Sequence, residues 1–168
     1  MGGAVSALTP EERLRSVGLV LPPAPTPKGN YAPTCVVPLA GDRHWVHVSG
    51  QTCRIDGRAL AGRCRDDRDI LEATHAAEVA ALNALSALAG VLAAVGGLSN
   101  VEQIVRVRGY VNADADFGRH SAVLDGASNV LGVAFDGHRP PARTAVGVGS
   151  LPDGAWVEVE LEAVVRMG

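Results

Sequence analysis

The stretch PARTAVGVGSLPDGAWVEVELEAVV, residues 141–165, decides the fold. Two alternating runs flank LPDG, whose Pro-Asp-Gly order is turn chemistry. The stretch therefore predicts two strands, over 143–149 and 155–166. In the second, Val157, Val159, Leu161 and Ala163 share one face, while Trp156, Glu158, Glu160 and Glu162 share the other. In the first, parity sets Thr144, Val146 and Val148 towards the helices and leaves Arg143, Ala145, Gly147 and Gly149 on the open face. Glycine weakens a strand unless something approaches closely. That small surface predicts the close approach of another backbone or a ligand, and points to a subunit interface on the open face. On these residues alone the acids are either a solvated stripe or include one that works with Arg143 in a binding site.

Upstream, Thr9 followed by Pro10 and Glu12 is a capping box, and Gly18 is a stop, so TPEERLRSVG (9–18) reads as a short helix. LPPAPTPKGNYAP (21–33) is too proline-rich for anything but extended coil. Strands follow over 34–39 and 43–49. Trp45, His47 and Ser49 lie on one face of the second, Val46 and Val48 on the other. Residues 51–66 read as a Gly- and Arg-rich loop with room for one short strand. From Asp69 to Val95 the apolar spacing of Leu71, Val79, Leu82, Leu85 and Leu88 is helical, and Gly96-Gly97 ends it. VEQIVRVRGYVN (101–112) alternates as a strand, with Val105, Val107 and Val111 on one side and Arg106, Arg108 and Tyr110 on the other. Residues 114–135 read as a second helix, weakened by Gly126 and Gly132.

The order β-β-α-β-α-β-β predicts an α+β domain: one mixed sheet with two helices packed on one face. Residues 1–27 form an N-terminal helix and Pro-rich extension, and residues 28–168 the domain proper.

Composition narrows the function. The chain has 168 residues, 47% of them hydrophobic, enough for one folded core. A net charge of −3, a pI near 5.9 and 4% aromatics offer no basic, stacking track for nucleic acid. The start has no apolar h-region, and ALNALSALAGVLAAVGG reads as a buried helix rather than a membrane span. Cys35, Cys53 and Cys64 form no CxxC and read as reduced, buried thiols of a cytoplasmic protein. His44, His47, His75, His120 and His138 have no metal-binding spacing, so no metal is expected. GVGSLPDG precedes no helix, which discards a phosphate loop.

Four segments carry a resemblance. PARTAVGVGSLPDGAWVEVELEAV resembles the C-terminal signature of the RidA/YjgF/UK114 family, also called the endoribonuclease L-PSP family. NYAP around Tyr31 resembles its GPYSQ segment, VSGQ (48–51) its strand end, and VRVRGYVNADADF (105–117) its central strand. The likeness covers about residues 28–165, and the N-terminal extension resembles the longer branch of the family.

The resemblance implies a chorismate-mutase-like fold and a homotrimer with clefts between subunits. It also implies hydrolysis of reactive 2-imino or 2-enamino acids to 2-keto acids and ammonia, without cofactor or metal. Residue by residue, Arg143 matches the arginine that grips the substrate carboxylate, Glu158 the acid that places water, and Tyr31 the pocket tyrosine. Asp125 stands near the position of a pocket asparagine. Ala145 replaces a frequent cysteine on the substrate-binding strand, and Gly147 a polar residue. These departures leave a second reading, a non-catalytic trimer that binds small carboxylates as a sensor or regulator.

Overall fold

The computed structural model describes residues 8–168. The first seven residues of the N-terminal extension lie outside the described residues. Helix α1, Pro10–Ser16, starts where its cap requires. The Thr9 hydroxyl accepts from the Glu12 amide, and the Glu12 carboxylate accepts from the Thr9 amide. This helix shares the core of the rest of the chain. Leu14 is fully buried, Arg13 Nη1 donates to the Ala134 carbonyl at 3.1 Å, and Glu11 accepts from the Leu98 amide at 3.0 Å. Thr9→Ala removes one side of the capping box and is expected to cost about 1 kcal/mol, measurable by urea melts. An unchanged midpoint would contradict that role.

Strands β1 (Thr34–Pro38) and β2 (Arg43–Thr52) form a hairpin, with Val46 and Val48 buried and the rings of Trp45 and His47 stacked at 5.9 Å on the other side. A two-residue hairpin, β3 (Arg54–Ile55) and β4 (Arg58–Ala59), follows where one short strand was expected. Then come α2 (Ile70–Leu92), β5 (Val101–Asn112), α3 (His120–Ala134), β6 (Ala142–Val148) and β7 (Val157–Arg166). The main sheet has the order β1-β2-β7-β5-β6. Every pairing is antiparallel except β5 with β6, which α3 connects as a crossover. Both long helices lie on one face of this mixed sheet, as the sequence predicts.

Four local expectations are corrected. Leu71 is 80% exposed, because α2 turns its alanine face, Ala73, Ala77, Ala80, Ala81 and Ala84, to the core and leaves its first turn in solvent. Val105 is the extra residue of a β-bulge between Ile104 and Arg106, so Ile104 takes the core place assigned to Val105. Helix α3 begins at His120, after a turn closed by the Phe117 amide on the Asp114 carbonyl. Cys35 is exposed, while Cys53 and Cys64 are buried.

A fifth correction concerns β6 and has the largest consequence. Its partners set its faces: Arg143 pairs with Val107, Ala145 with Gly109 and Gly147 with Val111. Val107 and Val111 belong to the core, so Arg143, Ala145 and Gly147 face the helices. Thr144 and Val146 lie beside Arg108 and Tyr110 on the open face, the reverse of the sequence parity. The small residues have a local cause. A Cβ on Gly147 would stand 2.3 Å from His120 Nε2, and one on Gly109 would stand 2.2 Å from Leu124 Cδ1, both in α3. Here glycine admits the chain's own helix rather than a neighbouring subunit.

Candidate functional site

Glu158, Glu160 and Glu162 alternate along the open face of β7, opposite Tyr110, Arg108 and Arg106 of β5. Their fates differ. The Arg108 guanidinium binds Glu160 at 2.8 Å and Glu162 at 2.6 Å, and the Tyr110 hydroxyl adds a hydrogen bond to Glu160 at 3.2 Å. Glu158 has no ion pair among the described residues. Burial, reinforced by the charge on Glu160, pushes its carboxyl above the ordinary carboxylate value of 4.5.

Its place depends on β2. The β2–β7 register slips between Val48 and Gln51, and Gly50 passes directly under the Glu158 carboxyl. A Cβ at Gly50 would stand 1.9 Å from Glu158 Oε1. The segment before β1 is fastened to the same point. Ser49 Oγ donates to the Ala32 carbonyl at 2.7 Å and the Ser49 amide donates to the Pro33 carbonyl at 2.9 Å. Tyr31 and Glu158 therefore line one cleft of about 980 Å³. Asn83 of α2 also lines it, donating to the Thr52 and Arg54 carbonyls, both at 3.0 Å. At the rim Arg54 and Lys28 share the Asp153 carboxylate.

Arg143 belongs to a different place. Its Nη1 donates to Asp125 Oδ1 at 2.7 Å and to the Ser128 hydroxyl at 3.0 Å, and its Nη2 donates to the Ser121 hydroxyl at 2.6 Å. All three partners come from α3. Arg143 and Ser128 edge a second hollow of about 470 Å³ with Phe135 and Leu131 in its wall. Ala145, two residues on, packs against the core beside Gly109.

The expected site residues thus fall into two groups, Tyr31 with Glu158 and Arg143 with Asp125 and Ala145. Strand β5 runs between them, and the two groups occupy opposite faces of the sheet. Sequence reasoning missed Gly50, Asn83, Arg54 and the two serines that hold Arg143. The VSGQ resemblance was the available signal for Gly50. Among the described residues no three His, Cys, Asp or Glu side chains converge as metal ligands.

A mixed sheet under two helices, with an acid in one cleft and an arginine on the far side, defines an α+β protein of the chorismate-mutase-like class. The chain belongs to the family described as "YjgF/chorismate mutase-like, putative endoribonuclease", whose sequence profile matches residues 11–147 and so takes in α1. It is 35% identical over 149 residues to Protein TCP17 of Trypanosoma cruzi, covering 88% of each chain. A solved structure from Shewanella oneidensis with the same endoribonuclease description is similar at a TM-score of 0.79 and 30% identity, over 95% of this chain and all of that one. One from Agrobacterium tumefaciens, described as of unknown function, reaches 0.76 and 31%, over 95% and 93%. Escherichia coli TdcF, solved with bound serine, shares the fold at 0.57 and 20%, over 86% and 94%.

Proposed function

We propose that the protein hydrolyses 2-imino acids, and their 2-enamino tautomers, to 2-keto acids and ammonia, at sites completed by two copies of the chain. The single observation that supports this best is the state of Glu158. It is a half-buried carboxyl with no ion pair among the described residues, raised in pKa, in the lining of a cleft that Tyr31 also lines. A general base needs that combination, since its proton affinity must approach that of the group it serves.

In the reaction Glu158 takes a proton from a water molecule as the water oxygen bonds to C2 of the imine. The electrons of the C=N bond pass to nitrogen, which is protonated. The tetrahedral carbinolamine then loses ammonia, the hydroxyl proton leaves, and the C=O bond forms. An enamine first takes a proton at C3 to become the imine. Arg143 of the neighbouring copy holds the carboxylate, its planar fork matching two oxygens. Such hydrolysis is fast even unaided, so positioning and one base are enough for useful acceleration. TdcF, of the same fold, was solved with bound serine, a ligand with the amino-acid carboxylate that this reading requires.

The ion pair between Arg143 and Asp125 favours a second reading, a homo-oligomer that binds a small carboxylate without turning it over. One experiment separates the two. 2-Aminoacrylate is generated by a dehydratase and pyruvate release is followed. Acceleration by the protein supports hydrolysis; calorimetric binding of 2-keto acids without acceleration supports the binder. Gly50→Ala provides a local check. The intruding methyl meets the mobile end of Glu158 rather than backbone, so the fold survives while the carboxyl is displaced. The expected result is about a tenfold slower reaction at unchanged melting temperature. An unaltered rate would remove Glu158 from the account.

A further inference from the structure

The cleft before Glu158 has one wall that comes from neither the sheet nor the long helices. It is the proline-rich strap between α1 and β1. The strap is fastened along its length. Ser86 Oγ in α2 donates to the Pro22 carbonyl at 2.5 Å, Ala24 lies against Gly90, and Lys28 Nζ stands 3.4 Å from Asp153 Oδ2. Between the first and last of these anchors Pro23, Pro25 and Pro27 line the cleft. Proline fixes its own φ and carries no N–H, so the strap presents an apolar surface that is already ordered before a ligand arrives. A preordered wall is an economical way to bind, because little freedom is lost on contact.

The size of the cleft points the same way. Pockets of roughly 300–1,000 Å³ enclose ligands of drug size. At about 980 Å³ in the single chain, before a neighbouring copy takes its share, this one lies at the upper end and exceeds what a three-carbon imino acid needs. We infer that the strap is a specificity wall, and that the substrate held at Glu158 is a 2-imino acid with a bulky apolar side chain packed on the strap prolines. This inference rests on the imine-hydrolase reading and extends it to substrate class.

The test compares kcat/KM for the imine of phenylalanine, generated by an L-amino-acid oxidase, with that for 2-aminoacrylate. The wild-type chain is expected to favour the bulky imine by at least about tenfold. In a Pro23→Gly, Pro25→Gly, Pro27→Gly variant that ratio is expected to collapse by a similar factor. If circular dichroism shows that variant unfolded, Ser86→Ala, which frees one anchor and keeps a helix-favouring residue, carries the comparison. A wild-type preference for the three-carbon substrate, or a ratio that the strap variants leave unmoved, overturns the inference while leaving hydrolysis intact. No acceleration of either substrate instead overturns the hydrolase reading on which it stands.

Discussion

Glu158→Gln is expected to slow imine hydrolysis by about a hundredfold or more and, at neutral pH, to make the protein slightly more stable. Both effects have one cause. The carboxyl is half-buried and feels the charge of Glu160, so its charged form is disfavoured in the folded chain. The raised pKa means that the native state binds this proton more tightly than the unfolded chain does. Stability from the group is therefore full below the unfolded value and is lost as pH rises through the higher folded value. Glutamine cannot ionise and escapes that loss. Its melting temperature should match the wild type at low pH and exceed it by about 1–3 °C at pH 7, a modest gain because the site is partly solvated. The wild-type rate should rise with pH through the same window as the base deprotonates. Melting curves and rates over a pH series check both. A glutamine variant with wild-type activity, or a stability gap that ignores pH, would show that Glu158 is an ordinary surface acid.

Gly126→Ala carries the largest expected cost to the fold. A Cβ there would stand 2.1 Å from the Thr74 carbonyl oxygen, backbone of α2, which no side-chain rotation can relieve. The helices must separate, and the α2–α3 contact would loosen along its length. A loss of about 3 kcal/mol is expected, a fall in Tm of about 6–12 °C for a chain of this size. Gly132→Ala, in the same helix, is the control. Nothing lies within 4 Å of its added methyl, so helix propensity alone acts and stability should rise by about 0.5–1 kcal/mol. Equal and small effects at both positions would mean that the two helices do not cross as described.

The two glycines also illustrate what the sequence could not convey. Both weaken α3 equally as read from propensity, yet one is the contact point of two helices and the other faces solvent. The strands with a buried face were legible: Val157, Val159 and Leu161 alternate because one side of β7 is core. Edge strand β6 was misread because both of its faces are partly exposed, so its residues differ more in size than in polarity. The larger valines pointed, by size, to the core, whereas the approach of α3 demands the small ones there. A bulge at Val105 likewise changes parity within a strand without any glycine or proline to announce it. The capping box of α1 was legible because its partners are three residues apart. The strap was not, since Ser86 and Pro22 meet across most of the N-terminal half of the chain.

The site was legible in its parts. Arg143, Glu158, Tyr31 and Asp125 came from the family resemblance, and Arg143 does meet Asp125. Their grouping was not legible, because it depends on the faces of β6. Once that strand is turned over, Arg143 and Glu158 cannot grip one small ligand within a single chain. This gives a physical reason for assembly that the small residues of β6, now explained by α3, no longer supply.

The central claim is that one working site draws Glu158 from one copy and Arg143 from another. Co-expression of Arg143→Ala and Glu158→Gln chains, each inactive alone, tests it most directly. Mixed oligomers contain some interfaces with both native residues, and random assortment predicts recovery of roughly a quarter of wild-type activity. If the mixed assemblies stay as inactive as either parent, the site lies within one chain and the account is wrong.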